Sequence, residues 1–310
     1  MNNKLTVLVG IPAYNEEANI NYLLRSLLSQ KEENFVLKEI IVVIDGSTDR
    51  TNKKVREISD KRIRLITNRG REGQVRAQNR IFKEADTDIV VLFEADTLPC
   101  DSEHIAKLIE PILADPAVGL VQSNIRPVES ESFLGKTMKA QQEIYLKFAF
   151  NREFANWFST GHGGRAFTKK VYGKLVWPSS VPEDVYALLW CRNENIKTLF
   201  QKSTYCLYRP PENLNDLLKA RQKIKSGKKE LEGHFPERLV GSFYNLSFGR
   251  LIGFRLKVKM LLQFLTSNPL LFLYYAYLKI KIWLLLKDSQ FTDFWDVGST
   301  TKNLKIKIHE

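Results

Sequence analysis

The sequence predicts an α/β domain built on a mostly parallel sheet with helices on both faces, followed by amphipathic helices after residue 249. Three observations carry this. The first hundred residues alternate between short β-branched runs and stretches of helical period. Polar clusters follow three of the β-like runs. The last fifth of the chain joins a long apolar stretch to a high density of lysine.

The β-like runs are LTVLVGI (Leu5 to Ile11), EIIVVID (Glu39 to Asp45), IRLIT (Ile63 to Thr67) and DIVVLFEAD (Asp88 to Asp96). Near-continuous apolar runs of this length read as strands buried on both faces, which is the habit of parallel sheets. Between them, Glu17 to Gln30 places Ile20, Leu23, Leu24, Leu27 and Leu28 on one helical stripe, and Asp49 to Ser59 and Gly73 to Ala85 continue the alternation. Strand–helix alternation implies right-handed crossovers and a parallel sheet. A helix at Glu103 to Ala114, a strand near Val118 to Gln122 and a long helix from Phe133 to Phe158 come next. The glycine cluster GHGGRAF, an acidic helix start in VPEDVYALLWC and a basic helix after Pro210 and Pro211 complete the region. The expected domains are 1–249, catalytic, and 250–310, a membrane-associating helical segment.

Composition narrows the partners. The net charge is +12, and residues 250–310 hold ten Lys/Arg against four Asp/Glu, half of that excess in one fifth of the chain. Charge placed beside the most apolar segment suits an anionic membrane surface, and no nucleic-acid motif accompanies it. The cysteines Cys100, Cys191 and Cys206 are too few and too scattered for a disulfide framework or a metal knuckle, so a reduced cytosolic setting is expected. Met1 to Lys4 leads straight into a strand, which predicts no cleaved leader.

In parallel sheets ligands bind beyond the carboxyl ends of strands, and the polar clusters sit there. Pro12, Tyr14, Asn15 and Glu16 follow the first run. They are equally ordinary helix-start residues, acids being favoured at the positive helix end. Asp45 opens DGSTD, which is also turn chemistry. Glu94 and Asp96, two residues apart on the expected strand, would face the same side and repel unless a cation lay between them. A hard divalent ion bridging to a diphosphate is the natural occupant. Glu183 and Asp184 at a helix start suit either the helix dipole or a general base.

From Leu5 to Gly227 the order of these pieces resembles the family 2 glycosyltransferases, a group that includes cellulose synthase-like and other inverting sugar transferases and whose catalytic domain has the GT-A fold. IPAYNEE is similar to the loop that holds the uridine end of the donor, and DGSTD to a second nucleotide loop in which Asp45 would contact the base. NRGREGQVRAQN resembles the stretch continuing that pocket, with Gly73 and Arg76 as candidates. EADTLP is similar to the metal motif Asp-x-Asp. There Asp96 would contact Mg2+ or Mn2+, and Glu94 departs from the usual first Asp. VPEDV resembles the general-base motif, implying Asp184 as base with Glu183 beside it. GHGGRAF is similar to the acceptor loop, implicating Gly161, His162 and Gly163, although a histidine between glycines is also a turn residue. ARQKIKSG resembles a diphosphate-holding segment written Gln-Arg-x-Arg-Trp in processive members. Arg221 keeps one cation, Lys223 replaces the second, and Ile224 stands where the aromatic would be. The resemblance therefore implies an inverting transfer of one or a few sugars from a nucleotide sugar, expected to be UDP-linked, to a lipid-linked or membrane-proximal glycan. A polyprenyl-phosphate sugar synthase and a weakly active nucleotide-sugar-binding subunit are the alternatives.

Met260 to Leu286 nearly matches the twenty apolar residues of a membrane span, but Ser267, Asn268 and Pro269 interrupt it. Tyrosines, Trp283 and flanking lysines are interfacial residues. Two short amphipathic helices lying on the cytoplasmic face of the membrane are expected, with a spanning hairpin and packing on the catalytic domain as the alternatives.

Overall fold

The computed structural model describes residues 4–149, 163–179, 181–245, 254–287 and 300–304. The alternation expected of the first hundred residues is present. Strands β1 (Leu5–Ala13), β2 (Phe35–Asp45), β3 (Ile63–Asn68) and β4 (Ile89–Leu92) alternate with helices α1 (Ile20–Leu28), α2 (Thr51–Arg56) and α3 (Gln74–Glu84). Then follow β5 (Thr97–Pro99), α4 (His104–Ala114), β6 (Val118–Pro127), α5 (Phe133–Ala149), β7 (Arg165–Thr168), α6 (Lys169–Tyr172), α7 (Glu183–Asn193) and β8 (Lys197–Tyr208). The expected end of the long helix, residues 150–158, lies outside the described residues.

The eight strands form one sheet in the order β3-β2-β1-β4-β7-β6-β8-β5. The β3-β2-β1-β4 half is parallel. Strand β7 pairs antiparallel with β4 and β6, and β5 pairs antiparallel with β8. Of the second half only β6 was expected, near Val118 to Gln122, because the other strands are short or carry polar residues. The chain leaves β1 toward β2 on one side and returns to β4 on the other, so the order reverses between β1 and β4. The carboxyl ends of those two strands therefore flank a switch point, where α/β sheets bind ligands.

Both faces of the sheet are covered. On one face Val7, Val9, Ile11, Ile40, Val42, Ile89 and Val91 pack with Leu23, Leu24 and Leu27 of α1 and Ile105, Leu108 and Ile109 of α4. On the other, Leu8, Ile41, Val43, Val90 and Leu92 meet Ala77, Ile81 and Phe82 of α3 together with Phe167 and Trp177. Each fully buried leucine contributes roughly 1.5–3 kcal/mol. Gly10 admits the close crossing of α3, since a Cβ there would lie 2.5 Å from Ile81 Cγ2.

The chain divides into two compact units, along different lines from the expected break at residue 249. The first comprises 1–125, 159–208 and 302–305 and contains the sheet. The second comprises 126–158, 209–301 and 306–310. Its described helices are α5, α8 (Leu214–Glu232), α9 (Glu237–Asn245), α10 (Phe254–Ser267) and α11 (Pro269–Lys287). Residues 126–158 belong there because Ala140 and Ile144 pack on Met260 and Phe264, and Leu134 and Met138 on Leu217 and Leu278.

The expected interruption at Pro269 is present, but its consequence differs. Proline at the first turn starts a helix without penalty, and α11 runs for 19 residues. Pro269–Leu286 is long and apolar enough to cross a membrane, with mean hydropathy 1.4 and only 6% of its residues buried. The second helix is therefore neither short nor amphipathic in the expected way.

Candidate active site

The loop after β1 is fixed from the side of DGSTD. Asn15 sits at φ 53°, in the left-handed region. Its amide donates to Ser47 Oγ, and its side-chain oxygen accepts from the Thr48 amide at 2.8 Å. The Glu16 amide donates to Thr51 Oγ1 and the Glu17 amide to Asp49 Oδ2. DGSTD thus organises the first loop as well as its own turn. Tyr14 lies beside Arg71, whose guanidinium carbon is 4.3 Å from the ring centroid, and Pro12 is buried at the end of β1.

Asp45 is buried, and its carboxylate gathers the next loop. Oδ1 accepts from Asn68 Nδ2 and the Glu72 amide, and Oδ2 accepts from the Gly73 amide at 2.8 Å. These bonds hold residues 68–73 over the end of β2, with Gly73 at φ 97° making the turn into α3. Arg76 is exposed on that helix.

The metal motif has a different geometry from the one expected. Strand β4 ends at Leu92, so Glu94 and Asp96 lie in the turn between β4 and β5 and do not share a strand face. Glu94 has its own counter-charge: Arg165, at the start of β7 and 1% exposed, places Nη2 3.0 Å from Oε1. The other oxygen, Oε2, accepts from Gln74 Nε2 at 2.6 Å. The same Gln74 nitrogen lies 3.2 Å from Glu183 Oε1. Two motifs far apart in sequence therefore meet at one amide. Among the described residues Asp96 has neither a hydrogen bond nor an ion pair, and it is half-buried. Its field is felt by Glu16, where burial first and Asp96 second push the carboxyl up to about 8 against the pull of Lys302 and Asn19.

The acids expected to hold the general base stand in the first turn of α7, both buried. Asp184 Oδ1 accepts from the Val185 amide, and the Glu183 carbonyl accepts from Trp177 Nε1 at 2.7 Å. Trp177 is fixed in turn by Asn79 of α3, whose amide exchanges hydrogen bonds with the Trp177 carbonyl and amide. Helix α3 thus sets the position of α7 at two levels, through Gln74 and Asn79.

Gly161 and His162 lie outside the described residues. Gly163 is buried, and a Cβ there would meet the Asn124 carbonyl oxygen at 1.9 Å. The adjoining strand leaves no room for a side chain there. Arg221 is half-buried on α8 in the second unit, and the side chain of Lys223 lies outside the described residues.

With this geometry in place, the comparisons with known proteins are decisive for the family. The model described as Glycosyl transferase family 2 matches residues 8–176, more than half of the chain. The chain belongs to that family. An Escherichia coli UDP-Glc:alpha-D-GlcNAc-diphosphoundecaprenol beta-1,3-glucosyltransferase is 29% identical over 47% of this chain and 55% of its own length. A Staphylococcus aureus poly-beta-1,6-N-acetyl-D-glucosamine synthase is 28% identical over 71% of this chain and 54% of its own. The chain thus spans about half the length of these curated relatives. Among solved structures, a Pyrobaculum calidifontis mannosyltransferase in complex with GDP-Man and Mn2+ superimposes with a TM-score of 0.62 at 18% identity, covering 91% of this chain and 81% of its own. S. aureus TarS 1–349 gives 0.54 at 17% identity, covering 82% and 75%. The fold of this glycosyl transferase family 2 member is the expected GT-A fold.

Two residues of this hydrogen-bonded cluster escaped sequence reasoning. Arg165 left a signal, a charge opening the otherwise apolar run Ala166-Phe167. Gln74 left none, because an amide beside a glycine turn looks like any helix start. Replacing Arg165 by Met should deprive the Glu94 carboxylate of the Arg165 charge, and losing one partner of a buried pair costs roughly 3–5 kcal/mol. Arg165→Met with Glu94→Gln should recover most of that loss. Urea unfolding of the two variants checks this, and equal stabilities would show that the pair is not what holds the turn.

Proposed function

We propose that this family 2 glycosyltransferase is an inverting enzyme. It would move a sugar from a UDP-linked donor to a lipid-linked or membrane-proximal glycan at the cytoplasmic face of a membrane. The observation that carries the reading is the shared Gln74 amide, which ties the turn bearing Asp96 to the helix bearing Asp184. Donor-end and acceptor-end acids are thereby set in one hydrogen-bonded frame. The similarity to a UDP-glucose-dependent enzyme with a diphosphoundecaprenol-linked acceptor, and to a polysaccharide synthase, supports the donor and acceptor classes.

Asp184 is the base in this reading. It takes the proton of the acceptor hydroxyl as that oxygen attacks the anomeric carbon, and the nucleoside diphosphate departs from the opposite face. The first turn of α7 sets Asp184 at the positive end of the helix dipole. Asp184→Asn should abolish transfer while leaving nucleotide affinity within a few-fold of wild type. Turnover above a tenth of wild type would remove Asp184 from the role.

The residues fit a divalent ion bound together with the donor. Asp96 is an uncommitted hard-oxygen ligand, and among the described residues no group of three or more His, Cys, Asp or Glu forms a cage. Asp96 would hold the ion against the donor's diphosphate, and the ion would supply neutralisation of charge on the leaving group. Mn2+ alone should therefore bind weakly, and Mn2+ and UDP should each strengthen the other's binding by the same factor. Asp96→Ala should abolish that coupling. Titration calorimetry in all combinations provides the check, and UDP affinity unchanged by chelator would refute the metal assignment.

The membrane reading rests on α11. Leu271, Phe272, Tyr275, Leu278 and Ile282 face the second unit's cores, while Leu270, Leu273, Ile280, Trp283 and Leu284 are each at least 56% exposed. At 1.5 Å per residue, Lys279 and Lys281 fall near the middle of the helix. Each would cost roughly 2.5–3.5 kcal/mol at a bilayer centre, which favours a helix lying in the headgroup layer. Trp283→Glu with Ile280→Glu should release the protein from vesicles containing phosphatidylserine. Sedimentation decides, and a double variant that still pellets with vesicles would sink this docking mode.

A further inference from the structure

Three groups in the loop after β1 are satisfied by a segment nearly three hundred residues away. The Tyr14 carbonyl accepts from Lys302 Nζ at 2.6 Å. The Glu16 carboxylate, 3% exposed, is paired with the same ammonium. The amide of Asn19, 1% exposed, reads the backbone on both sides of Asn303: Nδ2 donates to the Lys302 carbonyl at 2.8 Å, and Oδ1 accepts from the Leu304 amide at 2.9 Å. Asn19 thus behaves as a peptide unit of a neighbouring strand. Leu304 is 2% exposed, so the segment is seated as well as bonded. Residues 302–305 fall within the first compact unit, with the loop they hold.

We propose that Lys302–Leu304 is a working part of the donor site and that Lys302 is a positioning residue for the Tyr14–Asn19 loop. The proposal rests on the reading that this loop receives the donor nucleotide. Ser47, Thr48, Asp49 and Thr51 fix the loop from one side, and the segment supplies what they leave open. Without it, the Tyr14 carbonyl and the Asn19 oxygen lose their partners here, and Glu16 keeps only Asn19 Nδ2. A buried carboxylate without its cation drives local rearrangement. Among the described residues the polar contacts of Lys302 all go to this loop and none to the β1–β4 core, so the effect falls on the loop more than on global stability. Sequence reading assigned the whole of 250–310 to membrane association, and the structure gives its last described residues a second task.

The test uses the full chain with Lys302→Met and Lys302→Arg. Amide hydrogen exchange over residues 14–19 should quicken about tenfold or more in the Met variant, the signature of local opening. UDP binding in the presence of Mn2+, by calorimetry, should weaken about tenfold, with KM raised and kcat little changed. The melting temperature should stay within roughly 4 °C, and Lys302→Arg should restore UDP affinity to within about threefold, because it keeps the charge. Unchanged exchange at 14–19 in Lys302→Met overturns the proposal, as does unchanged UDP affinity in a protein that binds UDP. If the parent protein binds neither UDP nor GDP, the donor reading fails, and the exchange measurement still decides whether the segment orders the loop.

Discussion

One amide nitrogen, Nε2 of Gln74, sits between the carboxylates of Glu94 and Glu183. An edge lined with acids is unstable unless each acid has a partner, because withdrawing a carboxylate from water costs far more than burying any neutral group. Glu94 is met by Arg165, Glu183 by the same amide and by its place at a helix start, Asp45 by two backbone amides and Asn68, and Glu16 by Lys302 and Asn19. Most of these partners come from elements other than the acid's own. The loops of the first unit are therefore joined by charge neutralisation more than by apolar packing.

Helix α3 is where these demands converge. Its first residue reaches the acids, Asn79 fixes Trp177 and through it the start of α7, and its apolar face, Ala77, Ile81 and Phe82, packs on the sheet where Gly10 leaves room. Asp45 and Gly73 set where the helix begins. A shift of that start would move Gln74 and break the bridge. The rigid core therefore dictates the site through one helix, which is how precise geometry is obtained from loops.

The parallel half of the sheet was legible because buried strands must be apolar on both faces and leave unmistakable runs. Of the antiparallel half only β6 was legible, since β5 has three residues and β8 carries polar side chains throughout. The motif acids stood out by position: Asp45 ends β2, Asp96 follows β4, and Asp184 stands in the first turn of α7. Their partners did not, because Gln74, Asn19 and Lys302 act through contacts at long sequence separation that no local pattern encodes. Pro269 was read as an interruption, whereas at a first turn it costs nothing, so local chemistry alone could not distinguish a break from a start.

The glutamate at position 94, where the family writes aspartate, has a physical account in this frame. Its two oxygens do separate work: Oε1 faces the guanidinium of Arg165 on β7, and Oε2 faces the amide of Gln74 on α3. A carboxylate one methylene shorter would sit about 1.5 Å nearer the backbone and would reach both partners only if the turn moved. Glutamate thus matches the distance between two fixed elements. It has taken a connecting role, and this leaves Asp96 as the carboxylate with no partner among the described residues. Asp96 stands close enough to buried Glu16 to add to the effect of burial, which is the larger cause of that residue's raised proton affinity. In the proposed reading, tying Glu94 away would leave one carboxylate instead of two to meet a cation.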